Sequence, residues 1–209
     1  MATICPTVTA YNEHDYNQQL LRLKPFAKRI HIDLMDGQFA PTVSPGFDHI
    51  WWPPELEVDI HLMYQEPMTV INDLLRLRPR MVIVHNEAQL HHMQFCGELH
   101  KAGIMTGLAL LPETPVEYAE QIMHSFDHVL IFSGNLGHHG GQANFDLLAK
   151  SVQIRVHHPD VEIGWDGGVS VDNAALLVAG GIEVLNVGGY IQNSADPEAA
   201  YGKLIAEIS

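Results

Sequence analysis

The stretch Arg29–Phe39, RIHIDLMDGQF, reads as a buried strand that carries a histidine and an aspartate two residues apart. Successive strand residues point to opposite faces, so His31, Asp33 and Met35 share one face. An imidazole and a carboxylate on an apolar strand are costly to bury unless something satisfies them. The rest of the chain has to supply that partner.

Seven further β-rich runs surround this one: TICPTVT, VDIHLM, MVIVHN, MTGLALL, HVLIFS, VEIGWD and EVLNVGG. Helix-compatible segments separate most of them, namely YNQQLLRLKPFA, PMTVINDLLRLR, AQLHHMQFCGELHKAG, PVEYAEQIMHSF, FDLLAKSVQIRV and SVDNAALLVAG. The chain closes on DPEAAYGKLIAEI, with Asp and Pro where helices often begin. After the second run, APTVSPGFDHIWWPPELE is rich in Pro, Gly and aromatics, which predicts a long loop with a short helix. Strands alternating with helices indicate βα units and a parallel sheet. Eight such units predict a single (β/α)8 barrel domain over residues 1–209. A doubly wound open sheet would advertise a Gly-rich turn after its first strand, and here AYNEHDYN follows.

Composition narrows the function. The formal net charge is -14, from 11 Lys+Arg against 25 Asp+Glu, which argues against general binding to nucleic acid or an anionic membrane. No apolar run approaches the roughly 18–20 residues of a membrane span, and the N-terminus lacks the charged and apolar regions of a signal peptide. Cys5 and Cys96 form no Cys-x-x-Cys and read as free thiols in a reducing compartment, so a cytoplasmic protein is expected.

In such barrels the active site lies at the C-terminal strand ends. Those ends offer Thr7, then His31 and Asp33, then His61 with Met63 on its face, then His85 followed by Glu87, then Asp166. His31, Asp33, His61 and Asp166 form a candidate divalent metal site, whose two imidazoles and two carboxylates suit Zn²⁺, Fe²⁺, Mn²⁺ or Co²⁺ better than Mg²⁺ or Ca²⁺. A lone His-x-Asp is more often a core histidine bonded to a carbonyl. Three separate strands each ending in a ligand type weigh against that.

Glycine pairs make a second constellation: Gly140 and Gly141, Gly167 and Gly168, Gly188 and Gly189. Glycine lets backbone N–H groups approach an anion, and barrels often build phosphate sites after strands seven and eight. Any one pair can be a simple turn; three pairs in adjacent units point to phosphate. All Lys and Arg residues fall in helix-like segments or before strands. A phosphate would therefore be held by backbone amides, and neither a Schiff-base lysine nor a lysine-based decarboxylase has a candidate residue.

The motifs HIDLMDGQF, DIHLM, GLALLPETPVE, GGQ and DGGVSVDNAALLVAGGIEVLNVGG together resemble the ribulose-phosphate 3-epimerase family, in order over nearly the whole chain. The resemblance implies a (β/α)8 barrel interconverting D-ribulose 5-phosphate and D-xylulose 5-phosphate. It implies metal ligands at His31, Asp33, His61 and Asp166, with Asp33 and Asp166 also the acid and base. It implies substrate contacts at Thr7, Met35, His61, Met63, Gly140, Gly141, Gly167, Gly168, Gly188 and Gly189. Two carboxylates on opposite sides of a substrate suit proton removal from one face and return to the other, through an enediolate that a metal stabilises. Met35 and Met63 would offer an apolar wall.

Several positions depart from the family pattern. Thr7 stands for serine, Phe132 for a methionine, and NLGHHGG for Asn-Pro-Gly-Phe-Gly-Gly, with Leu136 for proline and one extra residue. Trp165 replaces a small aliphatic residue, and strand alternation predicts that it points out of the barrel. An epimerase for another ketose phosphate, such as D-allulose 6-phosphate, is the alternative substrate reading. A non-catalytic sugar-phosphate-binding relative fits less well, because binding alone needs no opposed carboxylates, and a metal-dependent hydrolase more often uses His-x-His. A homo-oligomer is expected, and HIWWPP is one apolar stretch available for a contact.

Overall fold

The computed structural model describes residues 2–209. Eight strands, β1 Thr3–Thr9, β2 Arg29–Met35, β3 Glu57–Met63, β4 Met81–His85, β5 Met105–Leu110, β6 His128–Phe132, β7 Glu162–Asp166 and β8 Val184–Val187, are present. They pair in sequence order, all parallel, and close through β1 and β8 into a barrel. Eight α-helices lie between and after the strands: α1 Glu13–Leu23, α2 Ile71–Leu77, α3 His92–Lys101, α4 Glu120–Met123, α5 Ala149–His157, α6 Ala174–Ala179, α7 Gly189–Gln192 and α8 Pro197–Glu207. Among the described residues, no helix is long and apolar enough to cross a membrane.

Three helical patterns are shorter than the sequence suggests. Pro67–Val70, Val116–Tyr118 and Phe145–Leu148 are 3-10 turns that lead into α2, α4 and α5. Tighter 3-10 geometry is common where a helix begins. The β2–β3 connection holds only a 3-10 turn, Phe47–His49, as its prolines predict. Within it Trp52 packs on the core, whereas Trp51 is half-exposed and donates from Nε1 to Asn17 at 2.8 Å.

Residue parity sorts the barrel into an outside and an inside. Ile30, Ile32 and Leu34 of β2, Val58, Ile60 and Leu62 of β3, and Val129 and Ile131 of β6 join the core shared with the helices. Trp165 joins them, fully buried, its Nε1–H donating to Gly167 O at 2.9 Å. The alternate residues fill the barrel. Met81, Ile83, Ala109 and Leu130 form an apolar layer of their own. Below it, at the N-terminal mouth, Arg29 donates to both carboxylate oxygens of Glu162 (2.9 and 2.8 Å) and from Nε to Asp59 (2.6 Å). Arg80 reaches Asp59 at 2.8 Å, and His128 Nδ1 lies 2.8 Å from Glu162.

Burial works against the Glu162 carboxylate, but hydrogen bonds and charge from His128 and Arg29 outweigh it and hold the carboxyl well below its usual range. A depressed carboxyl stabilises the fold above its unfolded pKa, about 4.3, and that contribution is lost as the pH falls below it. Arg29→Leu leaves buried Asp59 with Arg80 alone and weakens Glu162's setting. It should cost about 3 kcal/mol in urea unfolding at neutral pH, and the gap to wild type should narrow below about pH 4. Equal stability at pH 7 would show that the network contributes nothing.

Candidate active site

The opposite end of the barrel gathers the polar strand ends. His31 and Asp33 come from β2, His61 from β3 and Asp166 from β7. Their potential ligand atoms all lie within 4.8 Å of one another. Asp33 Oδ1 is 3.3 Å from His31 Nε2 and 3.1 Å from His61 Nδ1. Asp166 Oδ2 is 3.8 and 3.5 Å from the same two nitrogens. Both imidazoles are fully buried, while the two carboxylates reach a cavity of about 570 Å³.

Electrostatics bind the group together. Burial disfavours the Asp33 carboxylate, but the neighbouring imidazoles of His31 and His61 overcome this and hold its pKa far below normal. Burial likewise disfavours an imidazolium at His61, yet Asp166 and Asp33 raise its pKa to about 9. Two carboxylates thus favour a positive charge at this point, which a proton or a divalent cation supplies.

A second layer orients His61. Its Nε2 lies 2.8 Å from His85 Nε2. Burial lowers the His85 pKa to about 4, so His85 is neutral at pH 7. Its Nδ1 faces Glu87 Oε2 at 3.5 Å. With the His85 proton on that side, its Nε2 accepts from His61, and Nδ1 of His61 is left facing the carboxylates. Glu87 in turn accepts from Leu111 N (3.2 Å) and from the Thr114 hydroxyl. Thr9 donates to Asp33 Oδ2 at 2.5 Å.

Most expected substrate contacts face the cavity: Thr7, Met63 and all six glycines line it. Met35 does not share that wall with Met63. It is wholly buried with Ala40 and Met63, under Phe39 and Leu136, and Thr42 Oγ1 approaches its sulfur at 3.1 Å. The segment after β2 folds back over it, with Asp36 bridging to Val43. Phe132 lines the cavity instead, its ring 5.9 Å from His61 and 5.8 Å from His85. Gly167 and Gly168 have φ of 116° and 69°, and a Cβ on either would collide with the backbone of Gly134 or Ala143. These two glycines therefore let the β6–β7 loop close over the β7 end. That loop is also tied down at Gly137 O, which accepts from Thr42 Oγ1 (2.7 Å) and Tyr11 Oη (3.2 Å).

His85, which the sequence offered at the end of β4 without a role, belongs to this region, as do Thr9, Asn186 and His139, which the sequence did not single out. His85 and Thr9 touch the four-residue group, and Asn186 and His139 line the cavity. The available signal is a polar residue at inward parity in an apolar strand, which marks His85 and Asn186.

A closed parallel barrel whose strand ends bring two imidazoles and two carboxylates to one cavity defines a (β/α)8 barrel with a group that could hold a metal ion at its C-terminal mouth. The Ribulose-phosphate 3 epimerase family profile matches residues 3–192, and the chain belongs to that family. It is accordingly an isomerase. Similar proteins include the ribulose-phosphate 3-epimerases of Bacillus subtilis (28% identical, 84% of each chain covered) and Rhodobacter capsulatus (28%, covering 98% of this chain and 93% of that one). Among solved structures, a 3-hexulose-6-phosphate synthase superposes over the full length of both chains with a TM-score of 0.74 at 18% identity. KGPDC from Streptococcus mutans gives 0.72 at 12%, covering 100% of this chain and 97% of the other. At such identities these two structures speak to the fold alone.

The four-residue group should take a divalent cation. Titrating Co²⁺ into metal-free protein should give a visible absorption band at one equivalent. His61→Ala should lose it or need much higher Co²⁺, while an unchanged titration would remove His61 from the site.

Proposed function

We propose that the protein epimerises a ketose phosphate at C3, interconverting D-ribulose 5-phosphate and D-xylulose 5-phosphate. The observation that carries this reading is the pair Asp33 and Asp166, brought from separate strands to one cavity beside two imidazoles. The names of the family and of the relatives supply the substrate.

The residues also fit a metal. Neither ring nitrogen of His31 makes a well-formed hydrogen bond, although Nε2 faces both carboxylates. His61 is held by His85 with Nδ1 inward. His31, Asp33, His61 and Asp166 would hold Zn²⁺, Fe²⁺, Mn²⁺ or Co²⁺. When bound, the cation supplies a Lewis acid for negative charge developing on the substrate's oxygens.

Asp33 and Asp166 stand on β2 and β7, three places apart around the ring of strands. One carboxylate takes the proton from C3, and the C–H electron pair moves into the C2 carbonyl to give an enediolate. The other aspartate, protonated beforehand, returns its proton to the opposite face. The two groups exchange protonation states in each turnover and reset through solvent. Thr9 fixes the Asp33 carboxylate through its outer oxygen.

Phosphate recognition rests on the glycines. The cavity lining contains no Lys or Arg, so the dianion would be held by amides of the paired glycines, beside neutral or imidazole side chains such as Ser170 and His139 in the same lining. A Cβ at Gly189 would sit 3.7 Å from Gly140 Cα, and larger groups there would fill the gap between the two loops. Gly189→Val should raise KM for the phosphorylated sugar with a smaller change in kcat. Equal turnover of the unphosphorylated ketose by wild type would overturn the phosphate assignment.

Asp33→Asn and Asp166→Asn keep shape and remove the base. Each should lose about 10²–10⁴-fold in both directions, with metal content measured alongside to separate loss of the cation. In D₂O, variants that retain metal should exchange the C3 proton of different epimers. A wild-type protein that converts neither pentulose phosphate nor D-allulose 6-phosphate, and exchanges no C3 proton, would overturn the epimerase reading.

A further inference from the structure

The cavity wall holds a polar residue that the proton transfer does not use. Asn186 stands on β8, in register with Asp166 of β7 on one side and Cys5 of β1 on the other. It is 2% exposed and lines the cavity, and neither its amide nitrogen nor its carbonyl oxygen has a hydrogen-bond partner. Its strand neighbours Val184, Leu185 and Val187 are all apolar. On the adjoining strand the buried hydroxyl of Thr7 lines the same cavity and is equally without a partner.

A buried polar group without a partner destabilises the fold. A leucine would fill nearly the same volume as Asn186 without that cost. The carboxamide beside the acid–base aspartate has no partner within the protein, and a bound molecule with matching polar groups would supply one. A sugar hydroxyl both donates and accepts, as a carboxamide does, whereas phosphate oxygens only accept from the NH₂ side. The place of Asn186, level with Asp166, suits a hydroxyl near the reacting carbon.

We propose that Asn186 is a specificity-determining residue whose carboxamide hydrogen-bonds a hydroxyl of the ketose phosphate close to the carbon that exchanges its proton, either on the adjacent C4 or on C1 beyond the carbonyl. The proposal rests on the epimerase reading above. Thr7 supplies the neighbouring partner. A site that buries polar groups for a substrate hydroxyl rejects analogues lacking it far more strongly than an apolar pocket rejects a size change.

The test compares wild type with Asn186→Leu, and with Asn186→Ala should the leucine variant fail to fold. Melting temperature, bound metal and kcat/KM are measured with D-ribulose 5-phosphate and its 1-deoxy and 4-deoxy analogues. The variant should melt no lower than wild type, keep its metal, and lose at least about 10-fold in kcat/KM on the full substrate. One deoxy analogue should be poor for wild type yet suffer no further loss in the variant. Unchanged kcat/KM would overturn the proposal and leave Asn186 holding only water. A lower melting temperature, with equal losses on all three substrates, would overturn it in favour of a structural role. Wild-type protein inactive on every ketose phosphate would overturn the epimerase reading and this proposal together, which the other outcomes do not.

Discussion

The structure turns on the close packing of Asp33 and Asp166 against His31 and His61. None of these groups is cheap to bury alone, and a carboxylate without a partner would protonate or open the strand end to water. Together they make a compact polar floor. The arrangement requires β2, β3 and β7 to converge, which an open sheet would not do for strands so far apart in sequence. Barrel closure and site formation are therefore one event.

The barrel interior answers this floor with a second charged layer at the other mouth. Arg29, Asp59, Arg80, His128 and Glu162 pair with one another there, and the apolar residues Met81, Ile83, Ala109 and Leu130 separate the two. The lower layer brings arginines against its acids. The upper layer has only imidazoles, so its charge balance depends on a proton or a cation, and this separates a structural ion network from a chemical one.

The upper cavity carries two carboxylates and no Lys or Arg, yet its family handles a phosphate ester. In the proposed reading, backbone amides would resolve the conflict because they offer donors without a mobile charge, and glycines bring the loops after β6 and β7 close together. Phe132 and the β6–β7 loop line the wall above the four-residue floor.

Much of this was legible in the sequence. Period-two alternation and eight strand-like runs determined a (β/α)8 barrel, because a strand can present only one face inward. The same parity put His31, Asp33, His61 and Asp166 at inward strand ends and sent Trp165 outward. Helix lengths were less legible, since 3-10 starts such as Phe145–Leu148 share the apolar pattern of the helices they precede. Tertiary structure alone decided that Met35 is sealed under Phe39 while Met63 meets the cavity, because a loop folds over one strand end and not over the next. It alone joined His85 to His61 and left Asn186 without a partner beside Asp166. Those contacts depend on which strands stand side by side once the ring has closed, and no local pattern in the chain encodes that distance.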